Sequence, residues 1–152
     1  MVIGTRARNV TPEQALAHVF GYTIVNDVTA RDIQNTDNQL TMSKGIDTFC
    51  PLGPVVVLAD ELPDPSRLEL TTHVNGECRQ RSTTDQLIFP VPVLISRLSR
   101  YFTLEPGDLV ATGTPAGIGG SRKPPVFLAP GDRVTVAVSG IGELTNPVTA
   151  GW

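Results

Sequence analysis

Cysteine, methionine and histidine occur only twice each in this 152-residue chain, tryptophan once, and aromatic residues make up 5% of it. Cys50 and Cys78 sit in no metal-ligand spacing and could close at most one disulfide. A disulfide scaffold and a zinc module are thereby excluded, and the chain reads as a reduced, cytoplasmic protein with both thiols as buried filler. No apolar run approaches the roughly 20 residues of a membrane span. Met1-Val2-Ile3-Gly4 passes at once into Thr5-Arg6-Ala7-Arg8, unlike a signal peptide. Basic charge is also lacking: 12 Lys and Arg against 15 Asp and Glu argue against a nucleic-acid partner. The 40% of apolar residues argues against disorder. A soluble single domain with no membrane or nucleic-acid role is the expectation, and a chain of this size buries about two thirds of its unfolded surface.

Strand signals outnumber helix signals. Met1 to Gly4 reads as the tail of a strand. Thr11-Pro12-Glu13-Gln14 opens a short helix running to about Val19, with Thr11 as cap, Pro12 at the first helical position and Gln14 at the capping-box position. Phe20 to Val28 reads as a buried strand ending at Asn26-Asp27, and residues 29 to 47 as a helical turn followed by a surface loop. Pro54 to Leu58 is a continuous apolar strand. Leu68 to Val74 and Glu77 to Ser82 flank Asn75-Gly76, a strong hairpin signal. Val93, Leu94, Leu98 and Phe102 mark the inner face of an amphipathic helix over 92 to 102. Leu104-Glu105-Pro106-Gly107-Asp108 and Leu128-Ala129-Pro130-Gly131-Asp132 read as two Pro-Gly turns, feeding strands at Leu109 to Ala111 and Arg133 to Val136. The expected fold is mainly β with short helices.

Three segments could carry chemistry. Asn26-Asp27-Val28-Thr29-Ala30-Arg31-Asp32-Ile33-Gln34 gathers carboxylates, an arginine and amides at the end of a strand. An Asp there can offer a hard oxygen to Mg²⁺ or Mn²⁺, and Arg31 can grip a substrate carboxylate with its fork. The plainer alternative is that Asp27 or Asp32 caps the next helix and pairs with Arg31. Lys44-Gly45 sets a cation beside a glycine that admits close backbone approach, or is an ordinary solvated loop lysine. Thr112-Gly113-Thr114-Pro115-Ala116-Gly117 offers hydroxyls and amides to an anion, and without Gly-Lys-Ser/Thr it is no Walker loop. His18 and His73, in a helix and a strand, read as structural or surface residues.

In this order the segments resemble the catalytic core of the fumarylacetoacetate hydrolase family, with its acylpyruvase and 2-hydroxyhepta-2,4-diene-1,7-dioate isomerase-like members. Gly21-Tyr22-Thr23-Ile24-Val25-Asn26-Asp27-Val28-Thr29-Ala30-Arg31-Asp32 is similar to the family's signature strand, and Lys44-Gly45-Ile46-Asp47-Thr48-Phe49 to its lysine loop. Pro51-Leu52-Gly53-Pro54, Val74-Asn75-Gly76-Glu77 and the stretch from Leu104 through Thr114-Pro115 resemble further family motifs. The likeness runs from about Val2 to Val148. It implies a mixed β-sheet roll whose mouth binds Mg²⁺ or Mn²⁺ through carboxylates, with Ca²⁺ able to substitute in crystals. It implies a 2-oxo acid substrate chelating that metal, and a homodimer. Asp27 matches a metal-binding carboxylate, and Lys44 the lysine that polarises the substrate or steadies developing negative charge. Arg31 and Gln34 match polar residues of the pocket, and Gly113 and Thr114 belong to the loop that holds the substrate carboxylate. One such site serves C–C hydrolysis, decarboxylation and isomerisation, since each passes through an enolate.

The family pattern also has a Glu-x-Glu pair just before the segment matching Val2-Ile3-Gly4, and no Glu-x-Glu occurs in these 152 residues. The resemblance thus implies a domain whose first strands lie upstream, part of a longer enzyme. The alternative it leaves is a catalytically inactive member acting as a binding or partner subunit.

Overall fold

A computed structural model describes residues 1–37 and 40–150; Asn38 and Gln39, in the stretch read as a surface loop, and Gly151 and Trp152 lie outside the described residues. The chain runs β1 (Val2–Ile3), α1 (Pro12–Ala15), β2 (Val19–Val25), α2 (Arg31–Thr36), α3 (Leu40–Lys44), β3 (Leu52–Leu58), β4 (Glu69–Val74), β5 (Glu77–Thr83), α4 (Val91–Tyr101), β6 (Arg133–Val138) and β7 (Gly142–Pro147). These make the β-rich fold with short helices expected from sequence. The strands form two sheets, in the orders β1-β2-β3 and β5-β4-β6-β7, and all their pairings are antiparallel.

Period-two alternation builds the inner faces. Along β6, Val134, Val136 and Val138 are buried while the residues between them are not. They join Leu144 of β7, Tyr22 and Ile24 of β2, Ile3 of β1 and Ile95 of α4 in one core. The sheets meet where a Cβ at Gly53 would lie 3.6 Å from Leu144 Cδ1, and one at Gly142 3.3 Å from Pro54 Cγ. Burial pushes the Tyr22 hydroxyl pKa upward, and the negative charge of Asp64 adds to it.

Local chemistry sets the connections. Gln14 Oε1 accepts from Thr11 N at 3.1 Å, the reciprocal half of a capping box. Asn75 (φ 52°) and Gly76 (φ 83°) turn β4 into β5 with the left-handed pair that a tight hairpin requires. The two Pro-Gly-Asp turns are chemical copies. Asp108 Oδ2 accepts from Glu105 N at 2.8 Å, and Asp132 Oδ2 from Ala129 N at 2.9 Å. The Ala129 amide, then the Asn75 side chain, holds the Asp132 carboxyl below the usual carboxylate range.

Several expectations need correction. Cys50 and Cys78 are free but exposed, not buried, because Cys50 sits in the loop before β3 and Cys78 at the open start of β5. Leu109 to Ala111 forms no strand; a single bridge joins Leu109 to Val2, since a two-residue β1 is too short to template a ladder. Residues 29 to 47 hold two helices, α2 and α3, rather than one turn and a loop. In α4 the buried residues are Val91, Ile95, Ser96 and Ser99, while Val93 and Phe102 are 36% and 53% exposed. The inner face is rotated toward the serines because they bond to the segment before α1. Ser96 Oγ donates to Val10 O at 2.8 Å, and Ser99 Oγ accepts from Val10 N at 3.1 Å.

Candidate functional site

β2 ends at Val25, where Asn26 N donates to Pro51 O at 3.0 Å and Val28 N to Asn26 O at 2.9 Å, so the chain turns out of the sheet. Asp27 emerges at that turn and is exposed. Helix α2 then starts at Arg31, and neither Asp27 nor Asp32 caps it: the cap residue is Ala30, with no side-chain cap bond. Ala30 N donates instead to Ser43 O at 2.9 Å, tying the start of α2 to the end of α3. Ser43 is fully buried and its Oγ donates to Leu40 O at 2.9 Å. Arg31 and Lys44, each next in sequence to one end of that bond, therefore leave the backbone from adjacent points.

Lys44 is the last residue of α3, and its ammonium donates to Asp27 Oδ2. Their side chains are 32% and 44% exposed. A pair this wet contributes at most about 1 kcal/mol, which leaves Lys44 positioned yet able to change partners when an anion arrives. Arg31 does not pair with either aspartate; its Nη1 donates to Gln34 Oε1 at 2.5 Å, one helical turn on.

The second half of the site is the loop around Thr114. Gln80 Nε2 donates to Thr114 Oγ1 at 3.1 Å and to Pro115 O at 2.9 Å. Gly113 has φ 122°, and nothing lies within 4 Å of a Cβ built on it, so its backbone faces open space. Farther along the loop, a Cβ at Gly120 would lie 3.6 Å from Arg31 Nε and 3.7 Å from Phe127 Cε1. The loop after Thr114 therefore lies against the Arg31 side chain. Among the described residues no hydrogen bond or ion pair joins Gly113 or Thr114 to Asp27, Arg31, Gln34 or Lys44; the two halves meet at Gly120. Two surface hollows lie elsewhere: one of about 460 Å³ over Glu69, Arg81 and Glu143, and one of about 250 Å³ beside Thr84 and Asp85.

Residues 1–149 match the family model described as fumarylacetoacetate (FAA) hydrolase, C-terminal. The chain belongs to the fumarylacetoacetate hydrolase family. It is 47% identical over 148 residues to the oxaloacetate tautomerase YisK of Bacillus subtilis, covering 97% of this chain and 49% of that protein. Among solved structures it superposes on the fumarylacetoacetate hydrolase of Exiguobacterium antarcticum with a TM-score of 0.96 at 50% identity, over 99% of this chain and 54% of that one. On the 5-carboxymethyl-2-hydroxymuconate delta-isomerase of Mycobacterium smegmatis the TM-score is 0.88 at 47% identity, over 99% and 57%. The chain thus spans about half the length of the relatives it matches.

The residues that resemblance singled out all lie on the two halves just described. Gln80 was not among them, since a glutamine in a strand polar on both faces carries no sequence signal. The donor set bears directly on the metal that the family resemblance implies. Among the described residues no three His, Cys, Asp or Glu side chains gather to hold an ion, and Asp27 is already paired with Lys44. Mg²⁺ is held by carboxylates together with waters and substrate in an octahedral shell; these residues by themselves do not fit it. Millimolar Mg²⁺ or Mn²⁺ added to this chain is expected to raise its melting temperature by less than about 1 °C in a thermal-shift assay. By mass action, a rise of several degrees would show a tight site that these residues do not supply.

Proposed function

We propose that the chain carries the carboxylate-anchoring and enolate-stabilising groups of an enzyme acting on 2-oxo acids. The observation that supports it is the placement of Lys44, held by Asp27, across the Ala30–Ser43 backbone bond from Arg31, against which Gly120 of the loop after Thr114 lies. A 2-oxo acid presents a carboxylate and a ketone oxygen on adjacent carbons. Arg31, oriented by Gln34, and the Thr114 hydroxyl with the Gly113 backbone supply donors for the carboxylate. The Lys44 ammonium supplies positive charge for the ketone oxygen, which becomes negative as an enolate forms. Tautomerisation, decarboxylation and C–C cleavage share that charge, so the same residues suit a hydrolase, a decarboxylase or an isomerase, on acylpyruvates or related dicarboxylates. Oxaloacetate is the first substrate to try, because a relative 47% identical is an oxaloacetate tautomerase.

Keto–enol interconversion of oxaloacetate, followed by the enol's ultraviolet absorbance, is expected to run faster with the chain present than spontaneously. No acceleration by the chain, with or without Mg²⁺ or Mn²⁺, and none with an acylpyruvate, would favour the non-catalytic partner-subunit reading. A homodimer belongs to the same proposal, supported by Phe20, Val55 and Val56, 51%, 53% and 42% exposed on β2 and β3. Sedimentation at about twice the 16.2 kDa chain mass would support it, and a monomer would remove it.

A further inference from the structure

The loop that carries Gly113 and Thr114 is fastened to one strand at three points. β5 is an edge strand of its sheet, and the loop lies against it at Arg79 and Gln80. Gln80 bonds Thr114 and Pro115; the Arg79 carbonyl lies 2.2 Å from where a Cβ on Gly117 would be; and Arg122 Nη2 donates to that same carbonyl at 3.4 Å. β5 itself is rigidly backed, pairing with β4 from Glu69↔Thr83 to Val74↔Glu77.

The polarity of the Gln80 contact follows from its partners. Pro115 O can only accept, so the amide nitrogen, not its oxygen, must face it. That nitrogen has two hydrogens, and the second meets Thr114 Oγ1. Thr114 is thereby made an acceptor toward Gln80, and its own hydroxyl hydrogen is left for another partner. We propose that Gln80 is a positioning residue that fixes Thr114 with its O–H turned out to donate to the substrate carboxylate. The proposal rests on the reading of Thr114 as a carboxylate-binding residue.

The test uses oxalate, a planar mimic of the 2-oxo acid enolate, on the full chain. Gln80→Met keeps the length and removes the donors. Gln80→Glu keeps the shape and reverses the polarity, drawing the Thr114 hydrogen toward itself. Oxalate affinity by calorimetry is expected to fall roughly fivefold in Gln80→Met, the weight of one hydrogen bond, and further in Gln80→Glu. Adding Gln80→Met to Thr114→Val should cost nothing more, because the two act through one contact. Hydrogen exchange should quicken at residues 113 to 122 and stay unchanged in β4 and β6. Unchanged affinity in Gln80→Met, or losses that add to those of Thr114→Val, would overturn the role of Gln80 while leaving Thr114 its own. Failure of the unsubstituted chain to bind oxalate would overturn the carboxylate reading and, with it, this role. In that event the exchange data would still show whether the clamp exists.

Discussion

Lys44→Ala is expected to cut oxaloacetate turnover by about a hundredfold, the scale on which one well-placed donor to a developing oxyanion acts, while leaving the melting temperature nearly unchanged. The two halves of that expectation have separate origins. The Lys44–Asp27 pair is about one third and nearly half exposed on its two sides, so its loss removes little stability and strands no buried charge. The Ser43 carbonyl that ties α3 to α2, and the Ser43 hydroxyl's bond to Leu40 within α3, are untouched by the change. The ammonium, however, is the side chain at this rim that is set by an acidic neighbour and aimed from a helix end. Asp27→Asn should lose less, since it loosens the lysine without removing it. Lys44→Arg should recover only part of the activity, because a planar fork does not reproduce a compact point charge. Steady-state kcat/KM alongside thermal melting reads both. Retained turnover in Lys44→Ala would remove Lys44 from the chemistry, and a drop in stability as large as that in activity would make it structural.

The largest effect on stability is expected at Ile95. It is fully buried on α4, and its replacement by alanine should cost about 3 kcal/mol through lost burial and the cavity left behind. Urea unfolding with unchanged slope and an earlier midpoint would show it; a loss under about 1 kcal/mol would mean that α4 is not packed as described. Val93→Ala, two residues earlier and on the more open side of the helix, should cost far less. The comparison matters because hydrophobic periodicity marks Val93 and Phe102 as inward-facing and passes over Ser96 and Ser99.

That misreading shows what a one-dimensional pattern can carry. Where structure is set by a few consecutive residues, the sequence was readable: Thr11 to Gln14 capped a helix, Asn75-Gly76 made a hairpin, and Pro106-Gly107-Asp108 and Pro130-Gly131-Asp132 made matching turns. Where it is set by a distant partner, it was not. Ser96 and Ser99 are buried because the backbone at residue 10, 86 and 89 positions away, needs their hydroxyls. Leu109 to Ala111 has strand composition, but its only template is two residues long. Resemblance to a family named Asp27, Arg31, Gln34, Lys44, Gly113 and Thr114 without saying which would touch. Geometry pairs Asp27 with Lys44 and Arg31 with Gln34, and adds Gln80, which contacts Thr114 from 34 positions away.

The central claim is that these residues form one anion-receiving rim at the end of β2. Titration of isotopically labelled chain with oxalate, followed by backbone and side-chain nuclear magnetic resonance, addresses it without requiring turnover. Saturable shifts are expected at Gly113, Thr114, Arg31 and the Lys44 side chain together, reduced in Lys44→Ala. Shifts confined to the hollow over Glu69 and Arg81, or none at all, would contradict it.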